Sequence, residues 1–177
     1  RLRPLSSHAP DGLGPRVAIA ELRVLAEPGA PPPGGLPVDL ARGDLGGHVV
    51  WSTQGFDLAE MLVDATRPRT LNVPSRFDGV VETVIGFRSN RAARIAGLVW
   101  REATGASAPD LLDTVEAFVS TDGAAGPWTP LGAWRLDRDA AGVATLVLDE
   151  PIWARFVRLV LVHGERSRIA VPDRVEI

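Results

Sequence analysis

From residue 36 onward, short apolar runs alternate with turn signals made of Gly, Pro, Asn, Asp and Ser. Runs of that length, bounded that way, read as strands. They place strands near 47–52, 79–87, 94–101, 114–120, 128–136, 143–148, 154–162 and 168–177. One short helix is expected over 58–63, because Leu58, Met61 and Leu62 fall at helical spacing behind Asp57, a good N-cap. Strand follows strand without long helices between them, which argues against a parallel βαβ sheet. The fold class read from the pattern is all-β, an antiparallel β-sandwich of jelly-roll type with one short helix. Residues 155–162 are almost continuously apolar, as in a central strand packed on both faces. Arg155 and Arg158 within that run are expected to bridge the end of the sandwich or to meet a carboxylate. Trp128 and Trp134 are an even number of positions apart, so simple alternation puts both on one side of their strand.

Upstream the pattern changes. Residues 1–15 hold Pro4, Pro10, Gly12, Gly14 and Pro15 among polar residues and read as an irregular lead-in. Val17, Ile19, Leu22, Val24 and Leu25 make an apolar segment of strand length, and the Pro/Gly-rich stretch 27–35 reads as a stiff linker. The chain therefore divides into an N-terminal strand segment with linker, 1–35, and a sandwich domain, 36–177. Residues 16–25 resemble 168–177 in the order of apolar, small and acidic positions. Either the first is the closing strand of an upstream copy in a tandem array, or two edge-type strands look alike because their environments do. In both cases 17–25 is expected to be an ordered strand, paired beside 168–177 or docked on a neighbouring copy.

Composition narrows the chemistry. The chain has 177 residues, 45% hydrophobic and 23% charged, which suits one globular domain plus an extra segment. No apolar run approaches the roughly 18 residues a membrane-spanning helix needs. Net charge is −3 and the basic residues are scattered, so no footprint for nucleic acid is present. All 19 basic residues are Arg, and Cys and Tyr are absent. Without Lys there is no Schiff base or P-loop lysine, and without Cys no thiol nucleophile or thiolate metal site. The Arg bias with abundant Ala, Gly and Pro is typical of a GC-rich bacterial genome. Because the chain begins at Arg1, it reads as a fragment of a larger protein whose targeting signal lay upstream.

Three stretches together resemble the discoidin family, the coagulation-factor C-type domains related to bacterial carbohydrate-binding modules. The first is Val38-Asp39-Leu40-Ala41 through Gly47-His48-Val49-Val50-Trp51-Ser52-Thr53, similar to the family's Asn-Leu-Ala-like opening. The second is Met61-Leu62-Val63-Asp64-Ala65-Thr66, similar to its Leu-Ile-Asp-Gly segment with Ala65 in place of Gly. The third runs from Val115-Glu116-Ala117-Phe118-Val119-Ser120-Thr121-Asp122-Gly123 through Trp128-Thr129 to Ala154-Arg155-Phe156-Val157-Arg158-Leu159. The family's paired cysteines are missing, and Leu71-Asn72-Val73-Pro74 stands where a Trp is usual. The resemblance implies a galactose-binding-like sandwich over about 36–177 and favours an extracellular or cell-surface setting. It also implies a structural calcium site at Asp64, Thr66 and Asp173, whose oxygens are the hard ligands calcium takes. The alternative is that Asp64 caps a turn and Asp173 is a solvated strand-edge charge. No cofactor is otherwise required.

The catalytic inventory is empty. His8, His48 and His163 lack metal-ligand spacing, and no Gly-x-Ser-x-Gly, His-Glu-x-x-His or phosphate loop occurs. No spacing singles out a pair of carboxylates. The expected role is therefore non-catalytic binding through loops at one end of the sandwich. One candidate loop holds Trp51, Gln54, Phe56 and Asp57, and a second holds Arg67, Arg69, Asn72, Arg76 and Phe77. A third holds Arg88, Ser89, Asn90 and Arg91. Planar polar groups beside an aromatic suit sugar hydroxyls and the C–H face of a ring, so a carbohydrate or glycoconjugate is the leading partner. Trp and Arg also serve protein interfaces, so a docking or spacer module is the alternative.

Overall fold

A computed structural model describes residues 38–53, 70–72, 80–102, 105–163, 168–172 and 174–177. Within these the strands are β1 (His48–Ser52), β2 (Thr70–Asn72), β3 (Val80–Gly86), β4 (Ala93–Arg101) and β5 (Thr114–Ser120). They are followed by β6 (Thr129–Arg135), β7 (Val143–Ala154), β8 (Phe156–Val162), β9 (Arg168–Ala170) and β10 (Arg174–Glu176). A five-stranded sheet has the order β1-β3-β8-β5-β6, a three-stranded sheet β10-β4-β7, and β2 pairs with β9. Every pairing is antiparallel. The all-β antiparallel sandwich expected from the sequence is therefore the fold. The expected helix over 58–63, the segment 17–25 and the linker lie outside the described residues.

The core lies between the two larger sheets. Val81, Ile85, Val157, Leu159, Val115 and Ala117 enter it from the five-stranded layer, and Ile95, Leu98, Trp100 and Ala144 from the other. Each fully buried large aliphatic or aromatic side chain contributes about 1.5–3 kcal/mol through lost water contact. The near-continuous apolar run becomes β8, the middle strand of five, as its sequence predicts.

Three strand assignments need correction. The stretch 168–177 is two short strands in different sheets, not one. Pro172 has no N–H to continue a ladder, so the chain leaves one pairing and enters another. Next, β7 does not end near 148. Val147 opposes Gly97 and Ile152 opposes Ile95, so Asp149, Glu150 and Pro151 are accommodated as extra residues on β7 and pairing then resumes through Ala154. The backbones are close there: a Cβ on Gly97 would lie 2.2 Å from the Leu146 carbonyl oxygen, so only glycine fits. Finally, Asn72 belongs to β2, opposite Arg168, and not to a loop.

Two polar clusters close the sandwich. Asp39 ties the start of the described chain to its end. Its Oδ1 accepts from the backbone N–H groups of Ala41 (3.0 Å) and Ile177 (3.1 Å). Its Oδ2 accepts from Arg174 Nε at 3.1 Å and Nη2 at 2.6 Å. The second cluster is Glu102, whose Oε1 accepts from Trp100 Nε1 at 2.9 Å and from Arg138 Nε at 2.6 Å. Arg138 also donates to the carbonyls of Leu136 and Leu112, so one guanidinium joins the end of β4 to the start of β5 and the end of β6.

Both clusters give stability predictions. The Glu102 and Arg138 side chains are only 7% and 18% exposed, so the leftover charge in Arg138→Leu has little access to water. Stability should fall by about 3–5 kcal/mol, and the melting temperature by roughly 10 °C. Asp39→Ala removes the acceptor for four donors and should cost about 3 kcal/mol. Asp39→Asn, which keeps one carbonyl oxygen for the backbone donors, should cost less. Denaturant titration of the three variants checks the order.

Candidate functional site

Strand register places a row of side chains across the outer face of the five-stranded sheet, away from the core. Trp51 opposes Val84, Val84 opposes Arg158, Arg158 opposes Phe118, and Phe118 opposes Pro130. Two β-bulges create this row. Val49 faces the core opposite Ile85, and strict alternation would send Trp51 inward behind it. Val50 is an extra residue in β1, so Trp51 instead meets Val84 on the outer face. In β6, Leu131 is extra between Gly132 and Pro130. Trp134 therefore packs on the core while Trp128 lines the outer face. This corrects the expectation that the two tryptophans share a side. Trp51 lies within the strand expected over 47–52, one residue before its end, and is 48% exposed.

A cleft of about 410 Å³ opens on this face, lined by Trp51, Val84, Trp128, Ala124, Ala125, Glu82 and Arg158. That volume lies within the roughly 300–1,000 Å³ of small-molecule sites. Val84 is its floor and is 2% exposed. Arg158 Nη2 donates to Glu82 Oε1 at 2.5 Å. The guanidinium carbon lies 5.3 Å from the centre of the Phe118 ring and 5.9 Å from that of Trp128, within cation–π range. Arg158 thus meets a carboxylate, as its place in an apolar strand required.

The walls are held by backbone contacts. Thr53 N–H donates to the Glu82 carbonyl at 2.9 Å, Glu82 N–H donates to Thr53 Oγ1 at 3.0 Å, and Thr83 Oγ1 donates to the Trp51 carbonyl at 3.4 Å. On the other side, Ser120 Oγ accepts from the N–H groups of Asp122 and Gly123 and starts the turn leading to Trp128. Gly126, at φ +100°, lies against the indole: a Cβ there would be 2.8 Å from Trp128 Cδ1.

Of the expected ligand residues, Trp51, Asn72, Arg88 and Asn90 are among the described residues, and the structure places them on separate features. Arg88, Ser89 and Asn90 form a tight turn after β3, at the end where His48 opposes Gly86. Arg88 packs beside Gly46, just before β1, whereas Trp51 is near the far end of β1, so this turn and Trp51 are separate features. Ser89 and Asn90 adopt left-handed backbone angles, φ 54° and 53°, which Asn tolerates better than most residues. Arg155 stabilises the turn: its Nε donates to the Asn90 carbonyl at 2.7 Å and its Nη1 to the Asp122 carbonyl at 3.1 Å. It bridges the end of the sandwich, as expected. Gln54, Asp57, Arg67, Arg69 and Arg76, with the calcium candidates Asp64, Thr66 and Asp173, lie outside the described residues. Among the described residues no group of three His, Cys, Asp or Glu side chains could hold a metal. No helix among them is long and apolar enough to cross a membrane.

Sequence reasoning missed Glu82, Val84 and Trp128 as partners of Trp51. The Ser-Thr-Asp-Gly to Trp-Thr segment was the available signal, since it carries Trp128 back over the sheet.

No protein-family model and no curated protein matches this sequence. Solved structures do. A family 32 carbohydrate-binding module from Clostridium perfringens NanJ, in complex with galactose, matches with a TM-score of 0.58 at 12% identity, over 77% of this chain and 95% of that one. A family 32 module from Streptococcus pneumoniae EndoD matches with a TM-score of 0.54 at 18% identity, over 78% and 97%. Allantoicase matches with a TM-score of 0.57 at 13% identity, over 78% of this chain and 42% of that one. Across most of its length this chain has the fold of the family 32 modules, the galactose-binding-like β-sandwich that its sequence resembles.

Proposed function

We propose that this chain is a non-catalytic binding module of a larger bacterial protein and that it recognises a carbohydrate or glycoconjugate in the Trp51–Trp128 cleft. One observation carries the reading: two indoles stand on either side of a hydrogen-bonded Arg158–Glu82 pair. A sugar ring offers an apolar C–H face and a rim of hydroxyls, each both donor and acceptor. Indole suits the first, and adjacent guanidinium and carboxylate groups suit the second. The NanJ module was solved with galactose and a second C. perfringens module with GalNAc-β-1,3-galactose, which supports the same ligand class.

The second reading, a docking or spacer module, is favoured by a different surface. Strand β7 forms an edge of its sheet, with Val147 76% and Trp153 52% exposed. Among the described residues no strand pairs with that edge, and its exposed apolar side chains offer a place for another domain.

A glycan array probed with the full chain, with and without calcium, separates these readings. Binding to at least one sugar class is expected, and Trp51→Ala and Trp128→Ala should each weaken it by about tenfold or more, as loss of an aromatic anchor does. Val147→Asp should leave sugar binding unchanged. Absence of sugar binding, with capture of a partner that Val147→Asp abolishes, would establish the docking reading instead. Turnover of any polysaccharide would overturn the non-catalytic role.

A further inference from the structure

We propose that the cleft selects neutral sugars over acidic ones, because Arg158 enters it with its charge already matched by Glu82. The inference rests on the carbohydrate reading and deepens it. An arginine at the base of a cleft would ordinarily favour an anion, since a guanidinium binds a carboxylate through two parallel hydrogen bonds. Here the carboxylate comes from the protein. Glu82 Oε1 accepts a hydrogen bond from Arg158 Nη2 at 2.5 Å, and both side chains are about three-quarters buried, at 24% and 27% exposure. Phe118 and Trp128 lie within cation–π range of the guanidinium, so leaving Glu82 for a ligand anion would disturb two ring contacts as well as the ion pair.

The remaining hydrogen-bonding capacity has a defined character. Among the described residues Arg158 donates to Glu82 alone, so its Nε and Nη1 hydrogens remain as donors, and Glu82 Oε2 remains as an acceptor. A donor beside an acceptor matches a hydroxyl, which does both. A sugar carboxylate only accepts, so it would satisfy Arg158 while placing its own charge against Glu82. The apolar floor at Val84 and the walls at Ala124 and Ala125 leave such a charge few other partners among the described residues.

The test compares matched probes: galacto- and gluco-oligosaccharides and their uronic-acid counterparts, titrated calorimetrically into the full chain at low and high NaCl. The expected result is binding of a neutral probe about tenfold or more tighter than its acidic counterpart, with little change as salt rises. In Glu82→Gln the preference should narrow or reverse, and binding of the acidic probe should become salt-sensitive. Tighter binding of the acidic probe by the unaltered chain overturns the selectivity while leaving the carbohydrate reading intact. Binding of neither probe class, nor of any sugar on the array, overturns both. Should Glu82→Gln fail to fold, the salt series on the unaltered chain still decides: steep weakening with salt means that an unmatched cation contacts the ligand.

Discussion

A guanidinium in the middle strand of a sheet must be either solvated or partnered. Arg158 sits in β8 between Val157 and Leu159, both buried in the core, so its backbone position is fixed by apolar packing. Its side chain points to the outer face and is satisfied there by Glu82 from β3 and by the rings of Phe118 and Trp128. One side chain thus joins three adjacent strands and the loop that follows β5. The Glu82 carbonyl accepts from Thr53 N–H and its own N–H donates to Thr53 Oγ1, so the end of β1 and its Trp51 inherit the same constraint. The cleft depends on this pairing: without it the floor would carry an uncompensated charge beside Val84.

The tryptophans reach the cleft through local irregularity. A strand with unbroken alternation cannot place Val49 in the core and Trp51 on the opposite face, nor Trp134 in the core and Trp128 outside it. One extra residue in each strand reverses the alternation and re-aims the ring, a common use of bulges beside binding sites. Both bulges lie in edge strands of the five-stranded sheet, where an extra residue disturbs pairing on one side only.

The contrast between what could be read in advance and what could not follows from range. Apolar runs, turn residues and the doubly packed β8 are local patterns, and they located most strands to within a residue or two. The roles of Arg155 and Arg158 followed from the same logic, since charges in an apolar strand must find partners. The bulges at Val50 and Leu131 leave no comparable mark, because both are ordinary strand residues and the extra position exists only relative to a partner strand. The division of 168–177 had a local mark that the strand reading passed over, since Pro172 cannot donate to a ladder. That its halves pair with β2 and β4 depends on contacts across most of the chain. Asp39 is intermediate: the opening motif marked it, but only the structure shows it joining Ala41, Arg174 and Ile177.

The same sandwich serves sugar-binding modules and lies within allantoicase, so architecture alone does not decide what this chain does. What distinguishes a site is how the outer face of the five-stranded sheet is finished. Covering such a face with a helix would hide its apolar floor, and a purely polar face would have nothing for a ring to stack on. Here the floor is Val84, the rims are Trp51 and Trp128, and the polar element is an ion pair held by its own neighbours. Because Arg158 and Glu82 are ordered by each other, a ligand that meets them does not have to immobilise two flexible side chains first. For any ligand that met this pair, the saving in conformational entropy would be on the order of 1 kcal/mol per side chain.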